Sequence, residues 1–310
     1  MPALDLPLFG NVVLCAILVS AAYTFAVSLM AGRRPELLPS ARMGVYATGA
    51  LIAVAVCALA YAFQSHDFRI RYVMRYSDRS MPWYYLLASL WGGQDGSLLW
   101  WTFLLGGYSV VCAYSLRKRL PELAPYILAT LMSILLFVGV MMLWSANPFA
   151  TAVAGAPPEG EGLNPLLQNY WMMIHPPTLY LGMIGWAVPF AFAIAALVTG
   201  RLDEEWIKGA RRFTLWAFMT LATGNTLGML WSYEELGWGG YWAWDPVENA
   251  AFMPLLAGTP FLHSVMLQER RGMFKVWNVF LICLTFFMTI FGTFLTRSGM
   301  IASRRCRRWS

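Results

Sequence analysis

Long apolar blocks separated by short polar stretches dominate the chain, and each block is about as long as a helix that crosses a bilayer. Reading runs of roughly 20 mostly apolar residues as spans, the pattern predicts eight membrane helices. They fall at about 9–31, 43–63, 97–116, 126–146, 177–199, 213–231, 249–268 and 276–295. The runs lack the alternation of a barrel strand, so each span is a helix that satisfies its own backbone in lipid. The expected fold is all-α: a polytopic transmembrane helical bundle of about eight helices. The segment Met1 to Leu8 has no Lys or Arg, so it lacks the basic start of a cleaved secretory signal. The first block, from about Phe9 to Met30, is therefore read as a retained helix.

Composition removes the soluble alternative. Of 310 residues, 59% are apolar and 12% charged, whereas a soluble domain carries about 25% charged residues. The placement of Lys and Arg predicts orientation. Arg33, Arg34 and Arg42, then Arg117, Lys118 and Arg119, then Arg201, Lys208, Arg211 and Arg212, then Arg270, Arg271 and Lys275 fall in connections on one side. The other side has Arg69, Arg71, Arg75 and Arg79 in one loop and no Lys or Arg in 147–176 or 232–248. The first side is assigned to the cytoplasm, so the longer loops face outward. The net charge of +6 follows from this topology and does not signal nucleic acid. The cysteines (Cys15, Cys57, Cys112, Cys283, Cys306) stand singly, which predicts no disulfide framework, redox pair or zinc site. With no linker or repeat, residues 1–303 read as one membrane domain, followed by a basic tail over 304–310.

Three outward segments are too specific to be plain connections: WGGQDGSLLWW (91–101), NPLLQNYWMMIHPP (164–177) and the stretch 231–249, which contains WGGYWAWDPVEN. In the third, Trp238, Tyr241, Trp242 and Trp244 crowd around Gly239-Gly240. Interfacial belts also gather Trp and Tyr, but this density, with a glycine pair and no cation, suits a large planar apolar ligand held by stacking. Asp245-Pro246-Val247-Glu248 has a plain structural reading as a capping box with Pro at the first helical position. That role would fix the aromatic loop in place.

Three histidines complete the chemistry. His175 precedes Pro176-Pro177, which pushes it out of helical geometry, at the outer mouth of the fifth span. It reads either as a ligand donor or as a satisfied interfacial side chain. His263, inside the seventh span, is open to three roles: axial ligand, proton relay or helix–helix hydrogen bond. His66, beside Asp67, reads as solvated.

WGGYWAWDPVEN resembles the WWD motif of haem-handling proteins in cytochrome c maturation. NPLLQNYWMMIHPPTLYLG, LWSANPF, WGGQDGSLLWW and FLTRSG resemble the CcmF/NrfE/CcsA family, over the span from the first helix to about Ser303. The resemblance implies a haem lyase (holocytochrome c synthase) component in the bacterial inner membrane, with its WWD loop on the periplasmic side. It would accept haem from the chaperone CcmE and present it for attachment to the CxxCH cysteines of apocytochrome c. CcmH/CcmI-type subunits and membrane lipid are the further partners it implies. His175 corresponds to the first outward axial haem ligand. Trp238, Gly239, Gly240, Trp242, Trp244, Asp245 and Pro246 correspond to the WWD motif, and His263 to a ligand of a haem b buried among the helices.

The resemblance also implies a second outward histidine near position 305, where this chain reads IASRRCRRWS over 301–310. A frameshift or truncation after about Ser303 is the expectation, leaving one axial ligand of each presumed pair. Two rival readings remain: a non-catalytic remnant or scaffold, and a small-solute transporter. The transporter calls for a line of ionisable residues at mid-membrane depth, where the sequence offers His263.

Overall fold

The computed structural model describes residues 5–152, 157–237 and 239–297, and these are almost wholly helical. In chain order the helices are α1 (Leu6–Ala31), α2 (Leu38–Gln64), α3 (Arg71–Tyr76), α4 (Trp83–Ala88), α5 (Gln94–Ser115) and α6 (Ala124–Trp144). They continue as α7 (Tyr170–Gly185), α8 (Ala187–Thr199), α9 (Glu205–Glu235), α10 (Pro246–Arg271) and α11 (Lys275–Arg297). Among the described residues, extended pairing is confined to one bridge between Ile70 and Thr151.

Among the described residues, seven stretches are long and apolar enough to cross a membrane: α1, 35–64 with α2, Gln94–Lys118 with α5, α6, Tyr170–Thr199, α10 and α11. The protein is a multi-pass helical membrane protein. The expected sixth span, 213–231, is the body of α9, a 31-residue helix that falls outside those seven. Thr220, Thr223, Asn225 and Thr226 dilute its apolar run, although it is helical throughout. The expected fifth span, 177–199, proves to be two helices, α7 and α8, broken at the buried Trp186.

The chain forms two compact units. The first comprises residues up to Ser115 with Leu128–Met173; the second comprises Leu116–Ile127 with the residues from Ile174 on. In the first unit small residues let α1 and α2 pack closely, as expected where lipid supplies no hydrophobic drive between helices. Gly44 lies against Thr24, and Ser20 shares a 2.8 Å hydrogen bond with Thr48.

The motif segments of this unit are fasteners. In LWSANPF, Asn147 Nδ2 donates to Asn11 Oδ1 at 2.7 Å, and Asn147 Oδ1 accepts from the Phe149 amide at 2.9 Å. Phe149 is thereby buried against Gly10. In WGGQDG, Tyr72 Oη accepts from the Gly93 amide at 3.0 Å and donates to the Ser89 carbonyl at 2.7 Å. Asp95 pairs with Arg71 at 3.5 Å.

Most of the basic loop between α2 and α4 is similarly tied down. Arg69 pairs with Asp67 at 2.6 Å, a contact that holds its guanidinium above the ordinary arginine pKa. Arg79 takes the Glu159 carboxylate on its amide and the Pro158 carbonyl on Nε. His66, expected to be solvated, is half-buried beside Phe68, with Nδ1 buried and unpartnered among the described residues.

Candidate functional site

The second unit carries the histidine and the aromatic loop. His175 lies inside α7 rather than at a non-helical mouth, which corrects the expectation drawn from the proline pair. The steric rule against a helical residue before proline is outweighed here by what holds α7 at either end. Asn169 Oδ1 accepts from the Trp171 amide at 2.9 Å and starts the helix well before the prolines. Beyond them, glycines on α9 allow α7 to lie close: Gly224 lies against Leu179, and Gly182 of α7 lies against Leu221.

Gly224 and Gly228 form a G-x-x-x-G pair, and its second glycine faces His175. A Cβ on Gly228 would stand 2.6 Å from His175 Cε1, so only glycine leaves room for the imidazole. The ring settles with Nδ1 at 2.8 Å from the Gly224 carbonyl oxygen. A carbonyl can only accept, so Nδ1 carries the proton and Nε2 carries the lone pair. Metal-binding histidines commonly have this arrangement, one ring nitrogen donating to a backbone carbonyl and the other facing the metal.

Three consecutive residues at the end of α9 join this histidine to the loop. Trp231 is buried and stacks on His175 with ring centroids 6.4 Å apart and planes 11° apart. Ser232 Oγ donates to the Gly240 carbonyl at 3.4 Å. Tyr233 stacks on Tyr241 at 4.5 Å and 11°.

The loop then turns through Gly239, whose φ of +70° suits glycine. Trp242 sets its ring edge-on to Trp244 at 5.8 Å and to Phe252 at 5.6 Å. Its Nε1 is buried without an acceptor among the described residues. Trp244 is 68% exposed and holds a φ of +55°, a left-handed backbone unusual for a bulky side chain. Trp238 lies outside the described residues.

Asp245 is buried and closes the loop in the way its local sequence predicts. Its Oδ1 accepts from the Val247 amide at 2.8 Å, while Glu248 Oε2 accepts from the amides of Asp245 at 3.2 Å and Ala243 at 3.0 Å. Pro246 opens α10, and Asn249 Nδ2 donates to the Trp244 carbonyl at 3.0 Å. The box therefore restrains three consecutive loop residues before the helix starts.

His263 does not join this group. It lies 18 residues into α10, about 27 Å along the axis from Asp245 at 1.5 Å per residue. Its side chain is exposed on the second unit and Nδ1 donates to the Thr259 carbonyl at 2.9 Å. Among the described residues no three His, Cys, Asp or Glu side chains gather as a metal cage. The His175 imidazole is thus a single donor beside an aromatic loop, an arrangement suited to the axial position of a metal already held in a macrocycle. Sequence reasoning missed Gly224 and Gly228, and it named Trp231 only as the start of the stretch 231–249, not as the ring that stacks on His175. A G-x-x-x-G inside an apolar run was the available signal for the first two.

This fold and site define a multi-pass membrane protein with one oriented histidine beside a capped, tryptophan-rich loop. The chain belongs to the family described as cytochrome C assembly protein, whose model matches residues 91–301. It is 43% identical over 293 residues to the cytochrome c-type biogenesis protein CcmF of Haemophilus influenzae, covering 91% of this chain and 45% of that protein. It is 40% identical to the CcmF of Pseudomonas aeruginosa, covering 96% of this chain and 46% of the relative. A solved structure titled cytochrome c heme lyase CcmF superposes with a TM-score of 0.83 at 38% identity, covering 96% of this chain and 48% of that one. The chain spans about half the length of the curated relatives it matches. The tail over 298–310, including the position expected to carry a second histidine, lies outside the described residues.

Proposed function

We propose that this chain is a haem-handling membrane component of cytochrome c maturation, taking part in the haem lyase step. Haem is the substrate in this reading. The loop from Trp238 to Pro246 offers it an aromatic face, and His175 offers Nε2 as an axial donor. The supporting observation is the Nδ1 hydrogen bond to the Gly224 carbonyl, which orients the imidazole and fixes its tautomer. The buried Trp242 N–H is a donor suited to a propionate carboxylate.

The protein's contribution is binding, orientation and exclusion of competing reactions, while the reactive bonds belong to the haem vinyl groups and the cysteine thiols of apocytochrome c. The chaperone CcmE as donor, CcmH/CcmI-type subunits as carriers of apocytochrome c, the bacterial inner membrane and a periplasmic loop belong to the same proposal. So does His263 as an axial ligand of a separate haem b. Its exposed imidazole in an apolar helix supports a covering group at that position, since polar side chains rarely face lipid unassisted.

The test is a reduced-minus-oxidised spectrum of the detergent-solubilised chain, made with the haem chaperone co-expressed, beside His175→Ala and His263→Ala. A haem signal that weakens in either variant supports the reading. A chain with no Soret band replaces it with a scaffold.

A further inference from the structure

Pro176 leaves one carbonyl of α7 without its helical donor, and a tryptophan from a different motif supplies the replacement. In an α-helix the carbonyl of residue 172 accepts from the amide of residue 176, and proline has no such amide. Trp91 Nε1 donates to the Met172 carbonyl at 2.9 Å. Trp91 ends the short turn Ser89–Trp91, which is itself fixed: Ser89 Oγ donates to the Tyr76 carbonyl at 2.8 Å and Tyr72 Oη donates to the Ser89 carbonyl at 2.7 Å. Its ring packs against Trp100 with centroids 5.0 Å apart. A second clamp acts just ahead of the helix, where Tyr85 Oη donates to the Gln168 carbonyl at 2.8 Å.

His175 follows Met172 by three residues, so it leaves the same helix about one turn further along. We infer that Trp91 is a positioning residue for His175. Its indole N–H stands in for the amide that Pro176 lacks, keeps α7 helical through the proline pair, and so sets the direction in which the imidazole reaches Gly224. This gives the WGGQDG segment a task in the site: its first residue holds the helix that carries the ligand. The inference rests on the proposed ligand role only where haem is the readout.

The test is a mutant cycle in the full chain in detergent: Trp91→Phe, Pro176→Ala and the double variant. Two readouts need no haem: amide hydrogen exchange of the 170–178 segment, and nitrogen NMR of the His175 imidazole for its tautomer. Trp91→Phe is expected to speed exchange and shift the tautomer ratio by about fivefold, the effect of one neutral hydrogen bond. Pro176→Ala provides a backbone amide for the same carbonyl, so the double variant returns both readouts to the parental values. If Trp91→Phe changes neither, or if the double variant stays as impaired as Trp91→Phe, the positioning role is overturned. A haem titration of His175→Ala, run in parallel, decides the ligand reading separately.

Discussion

The Nδ1 of His175 stands 2.8 Å from the carbonyl oxygen of Gly224, and this contact places the ring proton on Nδ1 and leaves the lone pair on Nε2. The two residues are 49 positions apart, on different helices. Their meeting depends on a glycine at 228, one helical turn further along α9, where a side chain would strike the ring. A single helix face thus holds the acceptor and clears the space for the donor.

Gly228→Ala should push the imidazole off that face, because the new methyl would lie 2.6 Å from Cε1 and 3.1 Å from Nδ1. The expected result is about a tenfold loss of haem affinity, near the top of the range for one hydrogen bond, with helical content unchanged by circular dichroism. Gly237→Ala, where a Cβ meets nothing within 4 Å, serves as the silent control.

Asp245→Ala removes the buried cap of α10 and should lower stability by about 1 kcal/mol, with Asp245→Asn costing only a fraction of that. Thermal unfolding in detergent reads the difference. Equal haem binding by the asparagine variant and the parent would confine Asp245 to its capping role. A further loss in the asparagine variant would assign the carboxylate charge a part in ligand binding.

Trp242→Phe should weaken haem binding by about fivefold if its buried N–H meets a propionate. Haem with esterified propionates provides the check. It should bind the parent and the variant alike, because the acceptor is then altered on the ligand side.

His263→Ala should leave the signal that depends on His175 intact, because His263 lies about 27 Å along α10 from the cap at Asp245. Spectra of the two single variants and the double variant should therefore add. A His263→Ala protein that loses the His175-dependent signal as well would mean that the two places act as one.

Features that depend on neighbours in sequence were readable from the chain. The capping box at Asp245-Pro246-Val247-Glu248 is a four-residue pattern, and its hydrogen bonds form as the spacing predicts. The long apolar blocks became helices for the same reason. What misled was a local rule overridden from afar: the prolines after His175 argued against helix, and a tryptophan 81 positions from Met172 restored the missing bond. The expected fifth span likewise continued back to Tyr170, because Asn169 caps it there. The polar residues that dilute the apolar run of α9 include Asn225, whose side chain donates to the Leu221 carbonyl of its own helix. The pairing of His175 with Gly224, Gly228 and Trp231 was illegible because none of these residues lies near it in sequence.

The left-handed backbone of Trp244 has a consequence of its own. A bulky L-residue there costs roughly 1–2 kcal/mol relative to the right-handed region, and the exposed indole recovers little of that through burial. Glycine would relieve that backbone cost at Trp244, offset in part by its own larger entropy loss on folding and by the lost edge-on contact with Trp242. The hairpin thus spends stability to keep an indole outside the packed interior, and that cost falls on a single backbone position.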